Sequence, residues 1–395
     1  MSVGFEQGLR DVIAVESAIC QVDGAAGRLR YRGYEIGDLA AGASFEEVTV
    51  LLRDGELPDA QAISTFREEL GAARALPADV IGAMEAYPRN IHPLEAVRTA
   101  ISHLAMYDPD RASTGADSLR RTCLRLTGEI ASVVAAWRRI RDGRPAVTPH
   151  PALPQAEDFL FMLSGKAPDR SAVEAMDALL VLHAEHELNA STFAARVVTA
   201  TFSDAHSAVT AAIGALKGPR HGGANEDVLA MLEEIGVPER AEAYIAARLT
   251  ARERMTRAER AQPRARIPGW GHPVYLVDDP RAAHLRAVGR RVAEQAGVAA
   301  LADTAEAVYG VMKARTEFPV NVDFFSAVLY RALEIPIDLC TSIFAVARIA
   351  GWCAHIIEQR GGRLIRPRAA YVGPAPRPFQ PLETRAARPP GPAAS

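Results

Sequence analysis

A chain of 395 residues has room for two or three domains, or one large and one small, and buries a sizeable core without disulfides or metals. Its 49% hydrophobic and 24% charged residues, with a formal charge of -3, match an ordinary soluble globular protein and exclude any bulk pull toward nucleic acid or anionic membrane. Four scattered cysteines (Cys20, Cys123, Cys340, Cys353) form no CxxC and no disulfide framework, which suits a reducing compartment.

The opening MSVGFEQGLRDVIAVESAIC carries acids and lacks a basic stretch followed by an apolar core, so no signal or transit peptide is expected. Residues 18–22 and 29–31 flank Asp23-Gly24-Ala25-Ala26-Gly27 and predict a small hairpin. Apolar residues at spacings of three and four predict helices over 45–53, 63–73, 94–106, 119–140, 172–198 and 205–216, many rich in alanine. A proline-rich loop is expected at 144–154, with glycine- and proline-rich breaks at 218–223 and 268–273. No apolar run is expected to reach membrane-spanning length, the longest being interrupted by Arg348 or by residues 183–187. From Gly373 the composition turns to Pro, Arg and Ala, and residues 374–395 read as a disordered tail. The fold class is therefore all-α with a minor β appendage, and the location cytoplasmic.

Four places break the helical pattern. Leu182-His183-Ala184-Glu185-His186-Glu187-Leu188-Asn189 sets polar groups inside an apolar helix, His183 and His186 sharing a face. It matches no zinc signature, and polar groups satisfying one another at a helix bend would also explain it. Lys217-Gly218-Pro219-Arg220-His221-Gly222-Gly223 puts a histidine where backbone can approach a ligand, though such a histidine is often structural. Gly269-Trp270-Gly271-His272-Pro273-Val274-Tyr275 lacks the third glycine of a dinucleotide fingerprint. Finally, Asp323 sits among apolar residues, which raises a carboxyl toward a useful base, and Arg348 interrupts an apolar helix. A buried arginine needs an anionic partner, either a ligand or a protein carboxylate. Together these residues can bind a small polyanion and move protons on it.

The ordered strings LHAEHELNASTF, GPRHGGANE, GWGHPVY…DPR, NVDFFSAVLYRAL, ARIAGWCAHIIEQ and IRPRAAYVGP resemble the bacterial citrate synthases and 2-methylcitrate synthases, as do GLRDVIAVESAI…DGAAGRLRYRGYEIGDLA and Asn90-Ile91-His92-Pro93. The resemblance spans roughly residues 8–375. It implies a helical large domain (1–221 and 327–373), a smaller helical domain (222–326) closing over a cleft, and a homodimer. It implies Claisen-type condensation of acetyl-CoA with oxaloacetate, or of propionyl-CoA in a 2-methylcitrate synthase, without metal or cofactor, the CoA thioester being a substrate. His221 resembles the donor to the thioester oxygen, Asp323 the base for the α-proton, and His272 the group polarising the ketone. His186, supported by His183 and Asn189, matches an oxaloacetate-binding site, with Arg281 and Arg348 on the carboxylates and Arg366 supplied by the partner subunit. Pro268, Gly269, Trp270, Gly271, Arg264 and Arg266 are the candidate CoA contacts.

The sequence departs from the family at Trp270, Pro273 and Leu276, where Gly-Phe-Gly-His-Arg-Val-Tyr-Lys is common. Leu276 stands where the family often places a cation against CoA phosphate, and Arg220 where a leucine is usual. Residues 248–266 hold seven arginines, at 248, 252, 254, 257, 260, 264 and 266. They are expected either to replace the missing phosphate contacts or to form a solvated helix face. The competing functions are a citryl-CoA lyase, whose usual form lacks much of the N-terminal region, and a non-catalytic paralogue with a weakened CoA site.

Overall fold

The computed structural model of the chain describes residues 7–9, 12–222, 224–260, 262 and 265–385. The chain divides into two compact units, Ser17–Ile365 and, separately, Met1–Glu16 with Arg366–Ser395. In the second unit the described residues are irregular apart from single 3-10 turns at Gln7–Leu9 and Leu382–Thr384. Within the expected disordered tail, residues 374–385 are exposed, and 386–395 lie outside the described residues.

The first unit begins with the expected hairpin, β1 (Cys20–Asp23) and β2 (Arg28–Tyr31), Cys20 facing Tyr31 and Asp23 facing Arg28. A short third strand that the sequence reading missed, β3 (Tyr34–Glu35), pairs antiparallel with β2. The rest is helical: α1 (Ile36–Gly42), α2 (Phe45–Asp54), α3 (Ala60–Ala72), α4 (Ala78–Glu85), α5 (Pro93–Leu104), α6 (Ala116–Arg141), α7 (Gln155–Ser164), α8 (Arg170–His183), α9 (Ala190–Thr199), α10 (Ala205–Leu216), α11 (Ala224–Ile235), α12 (Ala241–Glu253), α13 (Arg257–Arg260), α14 (Pro280–Gln295), α15 (Ala299–Arg315), α16 (Val322–Ala332) and α17 (Cys340–Arg360). The all-α reading with a small β element holds.

Local chemistry sets many of these boundaries. Ser44 and Glu47 form a reciprocal capping box at the start of α2, which ends on Gly55 at φ 97°. His92 caps α5 with Pro93 behind it, and Asp59, Asn189, Asp204, Asp279 and Asn321 accept the free N–H groups opening α3, α9, α10, α14 and α16.

α17 is the central helix of this unit and packs against α2, α6, α8, α9 and α10. Contrary to the sequence expectation, Ile337–Arg360 is long and apolar enough to cross a membrane, one 18-residue window of it having a mean hydropathy of 1.5. That window is 94% buried inside the protein, so its apolarity serves the core. The predicted helix over 172–198 is also two helices. α8 stops at His183 and α9 starts at Ala190, with an irregular segment between them in which Glu187 takes φ 52°.

Candidate active site

The break between α8 and α9 exists because several partners hold it open. Tyr31 Oη donates to Glu185 O at 2.8 Å, and Gly351 N on α17 donates to Ala184 O at 3.1 Å. Gly351 is needed for this approach, since a Cβ there would lie 2.5 Å from Ala184 O and overlap the Glu185 carboxylate. Glu185 is itself buried and accepts from His355 Nε2 at 3.1 Å. His355 Nδ1 must accept, because its partner at 2.6 Å is Arg196 Nη1, which can only donate. The bend that the sequence left as a structural alternative is thus real, and it also brings His183 and His186 within the electrostatic reach of Arg281 and Arg348.

Arg348, 1% exposed, donates through Nε to His183 O at 2.7 Å and lies 4.6 Å from the Phe344 ring centre. Glu185 is the carboxylate that acts on it most strongly, but the two form no ion pair among the described residues, and the remaining guanidinium N–H groups can meet an anionic ligand. His183 donates through Nδ1 to Leu179 O at 2.9 Å, leaving Nε2 without a partner.

The loop before α14 supplies the next groups. Gly269 and Gly271 take φ 79° and 84°, and a Cβ at 269 would lie 2.7 Å from Phe324. His272 Nδ1 accepts from Val274 N and Tyr275 N, both at 3.0 Å. Two main-chain donors on Nδ1 put the single proton of the neutral ring on Nε2, which is therefore a fixed donor. The His272 ring lies 5.2 Å from that of His186 and 4.6 Å from that of Tyr275, and Tyr275 Oη hydrogen-bonds His186 Nε2 at 3.2 Å. Asp279 caps α14 and also forks onto Arg281, at 2.9 Å (Nε) and 2.6 Å (Nη2), with both side chains buried. Arg281 Nη1 reaches Leu182 O at 3.5 Å, which joins α14 to the end of α8.

His221 lies in the turn after α10. Its Nε2 is 2.9 Å from Ser191 Oγ, a hydroxyl that Trp352 Nε1 donates to at 3.1 Å and that sits 2.7 Å from Asn189 Oδ1. The Nδ1 atom has no hydrogen bond among the described residues and is free for a ligand. Asp323 occupies the first turn of α16, whose cap Asn321 donates through Nδ2 to Gly271 O at 3.1 Å. Base and loop are therefore built as one piece.

Burial sets the protonation of these groups. It pushes the Asp323 carboxyl up to about 7, against the opposing pull of Arg281. It lowers His221 to about 4, helped by Arg348, and His272 to about 4, helped by Arg281. His183 falls to about 3 and His186 well below its ordinary value, in each case by burial first and Arg281 second. At neutral pH the cluster holds four neutral imidazoles, two guanidinium groups and one carboxyl near its titration point.

The structure thus brings together His183, His186, Asn189, His221, His272, Arg281, Asp323 and Arg348. Arg366 is exposed and belongs to the other compact unit. Arg264 lies outside the described residues. Arg266 is exposed, and among the described residues its one hydrogen bond is through its carbonyl, to Arg248 at 3.4 Å. Trp270 does not offer its ring to a ligand: it is 6% exposed and packs against Tyr309 and Phe324. Only the main chain of that residue is left as a CoA contact. In the arginine-rich segment, Arg260 binds the carbonyls of Arg252, Glu253 and Met255 at the end of α12, and Arg252 stacks 5.2 Å from Phe318. Part of that run is therefore structural. Sequence reasoning missed Ser191, Asn225, Tyr275, Asp279 and Trp352. Only Asp279, directly before a helix-opening proline, carried a local signal.

The "Citrate synthase, C-terminal domain" family profile matches residues 8–368. The chain is 43% identical to Citrate synthase 2 of Bacillus subtilis over 382 residues, covering 96% of this chain and 99% of that protein. It is 39% identical to a 2-methylcitrate synthase of Mycobacterium tuberculosis, covering 93% and 91%. Among solved structures, the citrate synthase of Pyrobaculum aerophilum superposes with a TM-score of 0.87 at 34% identity, over 96% of this chain and 95% of that one. The Thermoplasma acidophilum citrate synthase in ternary complex with carboxymethyl coenzyme A and oxaloacetate gives a TM-score of 0.87 at 32% identity, over 97% and 100%. With its residues, helical fold and cluster all in agreement, the chain belongs to the citrate synthase family.

Proposed function

We propose that this protein condenses acetyl-CoA with oxaloacetate and water, releasing citrate and CoA into the tricarboxylic acid cycle. The observation that carries the reading is the cluster of His221, His272 and Asp323, two neutral imidazoles and a carboxyl with a pKa of about 7. An acyl α-carbon is a weak acid, so Asp323 removes its proton while His221, in the tautomer whose Nε2 accepts the Ser191 N–H and whose Nδ1 carries the proton, donates to the charge developing on the thioester oxygen. His272 Nε2–H polarises the ketone of oxaloacetate, and the resulting enolate attacks that carbon. Arg348 holds one carboxylate, Arg281, whose Nε and Nη2 are taken by Asp279, offers the other its Nη1 edge, and His186, His183 and Asn189 complete the oxaloacetate site. Water then hydrolyses the citryl thioester. Side chains supply every donor and the base, so the reaction as written takes no cofactor, and CoA arrives as a substrate.

We further assign residues 222–326 to a smaller domain that closes over the cleft and excludes water, protecting the enolate. A cytoplasmic homodimer, in which Arg366 completes the neighbouring site, follows from the same reading. The CoA end is the least conventional part. Leu276 is 75% exposed, with its N–H on Gly24 O at 2.9 Å, and brings no cation to the phosphates. Arg254 and Arg266, both exposed, are the described arginines of the 248–266 run left to do so, with Arg220 beside His221. If Leu276→Lys leaves the acyl-CoA KM unchanged, and removing Arg254, Arg264 and Arg266 does so too, this substitution of contacts is wrong.

The 2-methylcitrate synthase relative favours propionyl-CoA as a second reading. One methylene in an apolar pocket is worth only about 1–3 kcal/mol, so the two donors must be compared directly. Thiol release from purified protein with oxaloacetate and each acyl-CoA tests both. No free CoA with either donor would leave a dicarboxylate-binding paralogue in their place.

A further inference from the structure

Asp323 and His221 stand on different elements, and no direct hydrogen bond between them sets their spacing. Asn225, in the first turn of α11 and 1% exposed, lies between them. One side of its amide faces two acceptors, Asp323 Oδ1 and Gly222 O, which places the amide nitrogen on that side at 3.1 Å and 3.0 Å. Gly222 follows His221 directly, and its own N–H is fixed to Leu216 O at 3.0 Å. A Cβ at Gly222 would lie 2.5 Å from that same carbonyl, so this turn has little freedom to drift. Asn225 is also the one side-chain donor to the Asp323 carboxylate among the described residues. Tyr330, fully buried and without another partner, neighbours the amide and can donate to the oxygen left over.

We propose that Asn225 is a positioning residue for the condensation, its amide nitrogen bridging the Asp323 carboxylate to the main chain beside His221. The bridge does two things. It holds the base and the thioester-facing imidazole at one separation across two elements, and an error of about 1 Å in such a separation can cost 10²-fold in rate. It also donates a hydrogen bond to a carboxylate that burial would otherwise keep protonated, which favours the ionised form that can take the α-proton. In this role Asn225 acts through Asp323.

The inference rests on the condensation reading above, and the test separates the two. Asn225→Leu removes the donor at similar size, and Asn225→Asp replaces the donor with a second carboxyl. Each is assayed by thiol release against pH, with oxaloacetate affinity measured by calorimetry. The acid limb of kcat/KM should move up by roughly one pH unit, as losing a charge-assisted hydrogen bond implies. At pH 8, kcat should fall by about 10-fold to 10²-fold while oxaloacetate affinity stays at the wild-type value. A purely structural asparagine would lower kcat and leave the limb in place, and that result in either folded variant overturns the proposal. If Asn225→Leu does not fold, Asn225→Asp decides. A wild-type enzyme that releases no thiol overturns the reaction itself, and the positioning role with it.

Discussion

Replacing His272 separates two jobs that one ring performs. Nδ1 accepts two main-chain N–H groups at 3.0 Å and so shapes the loop, while Nε2–H is left as the donor that the proposed reaction directs at the ketone. In His272→Asn, the side-chain oxygen can take the place of Nδ1, so the loop keeps its acceptor and only the distal donor is lost. Removing one preorganised donor of this kind costs about 10²–10³ in kcat, or roughly 2.7–4 kcal/mol. In His272→Ala both jobs disappear, and two N–H groups lose their partner at about 1–3 kcal/mol each where water cannot replace it. His272→Gln places an N–H near the lost Nε2 and should recover part of the rate. The assay is thiol release at saturating acetyl-CoA and oxaloacetate, paired with denaturant unfolding. The expected order of kcat is wild type, then Gln, then Asn, then Ala, with stability lost mainly in Ala. A His272→Asn enzyme within about threefold of wild-type kcat would refute the assigned tautomer and its role.

Other outcomes follow from the same geometry. With Asp323 raised to about 7, kcat/KM should fall about tenfold per pH unit below that point, because the base must be ionised. His221 and His272, held near 4, should add no second limb between roughly pH 5 and 9, and a histidine-like limb abolished by His221→Gln would contradict this. Their depressed values also link to stability. The unfolded chain takes up protons below its ordinary histidine value of 6.5 that these folded rings refuse until about 4, so the two rings withdraw stability as pH drops through that window, opposed by the raised Asp323 carboxyl, and His221→Gln should flatten the acid side of the urea-unfolding profile. Asp323→Asn should lose about 10²–10⁴ in kcat while binding oxaloacetate normally by calorimetry. Away from the site, Arg74 and Asp158 are both buried and paired at 3.0 Å, with Arg74 also on Gln155 at 2.7 Å. Arg74→Met strands that carboxylate and should cost about 3–5 kcal/mol by urea unfolding with little change in KM.

Much of this protein was determined by sequence alone. Helix positions were legible because apolar spacing and alanine content are local properties, and capping residues such as Ser44, Asp204 and Asp279 mark their own boundaries. The histidines and Asp323 stood out because each interrupts a local pattern, and the ordered motifs around them identified the family. Tertiary structure decided the rest. The α8–α9 break depends on Tyr31 and Gly351, residues 154 and 167 positions from Glu185 and Ala184, and no window around residue 186 contains them. The ring proton of His272 depends on two main-chain N–H groups that meet it only in the folded loop. Trp270 turned inward because Tyr309 and Phe324 wait there, and Asn225 bridges groups on α16 and the turn after α10. Periodicity and capping act within a few residues and are written along the chain, whereas burial, protonation and hydrogen-bond partnership belong to neighbours that only folding assembles.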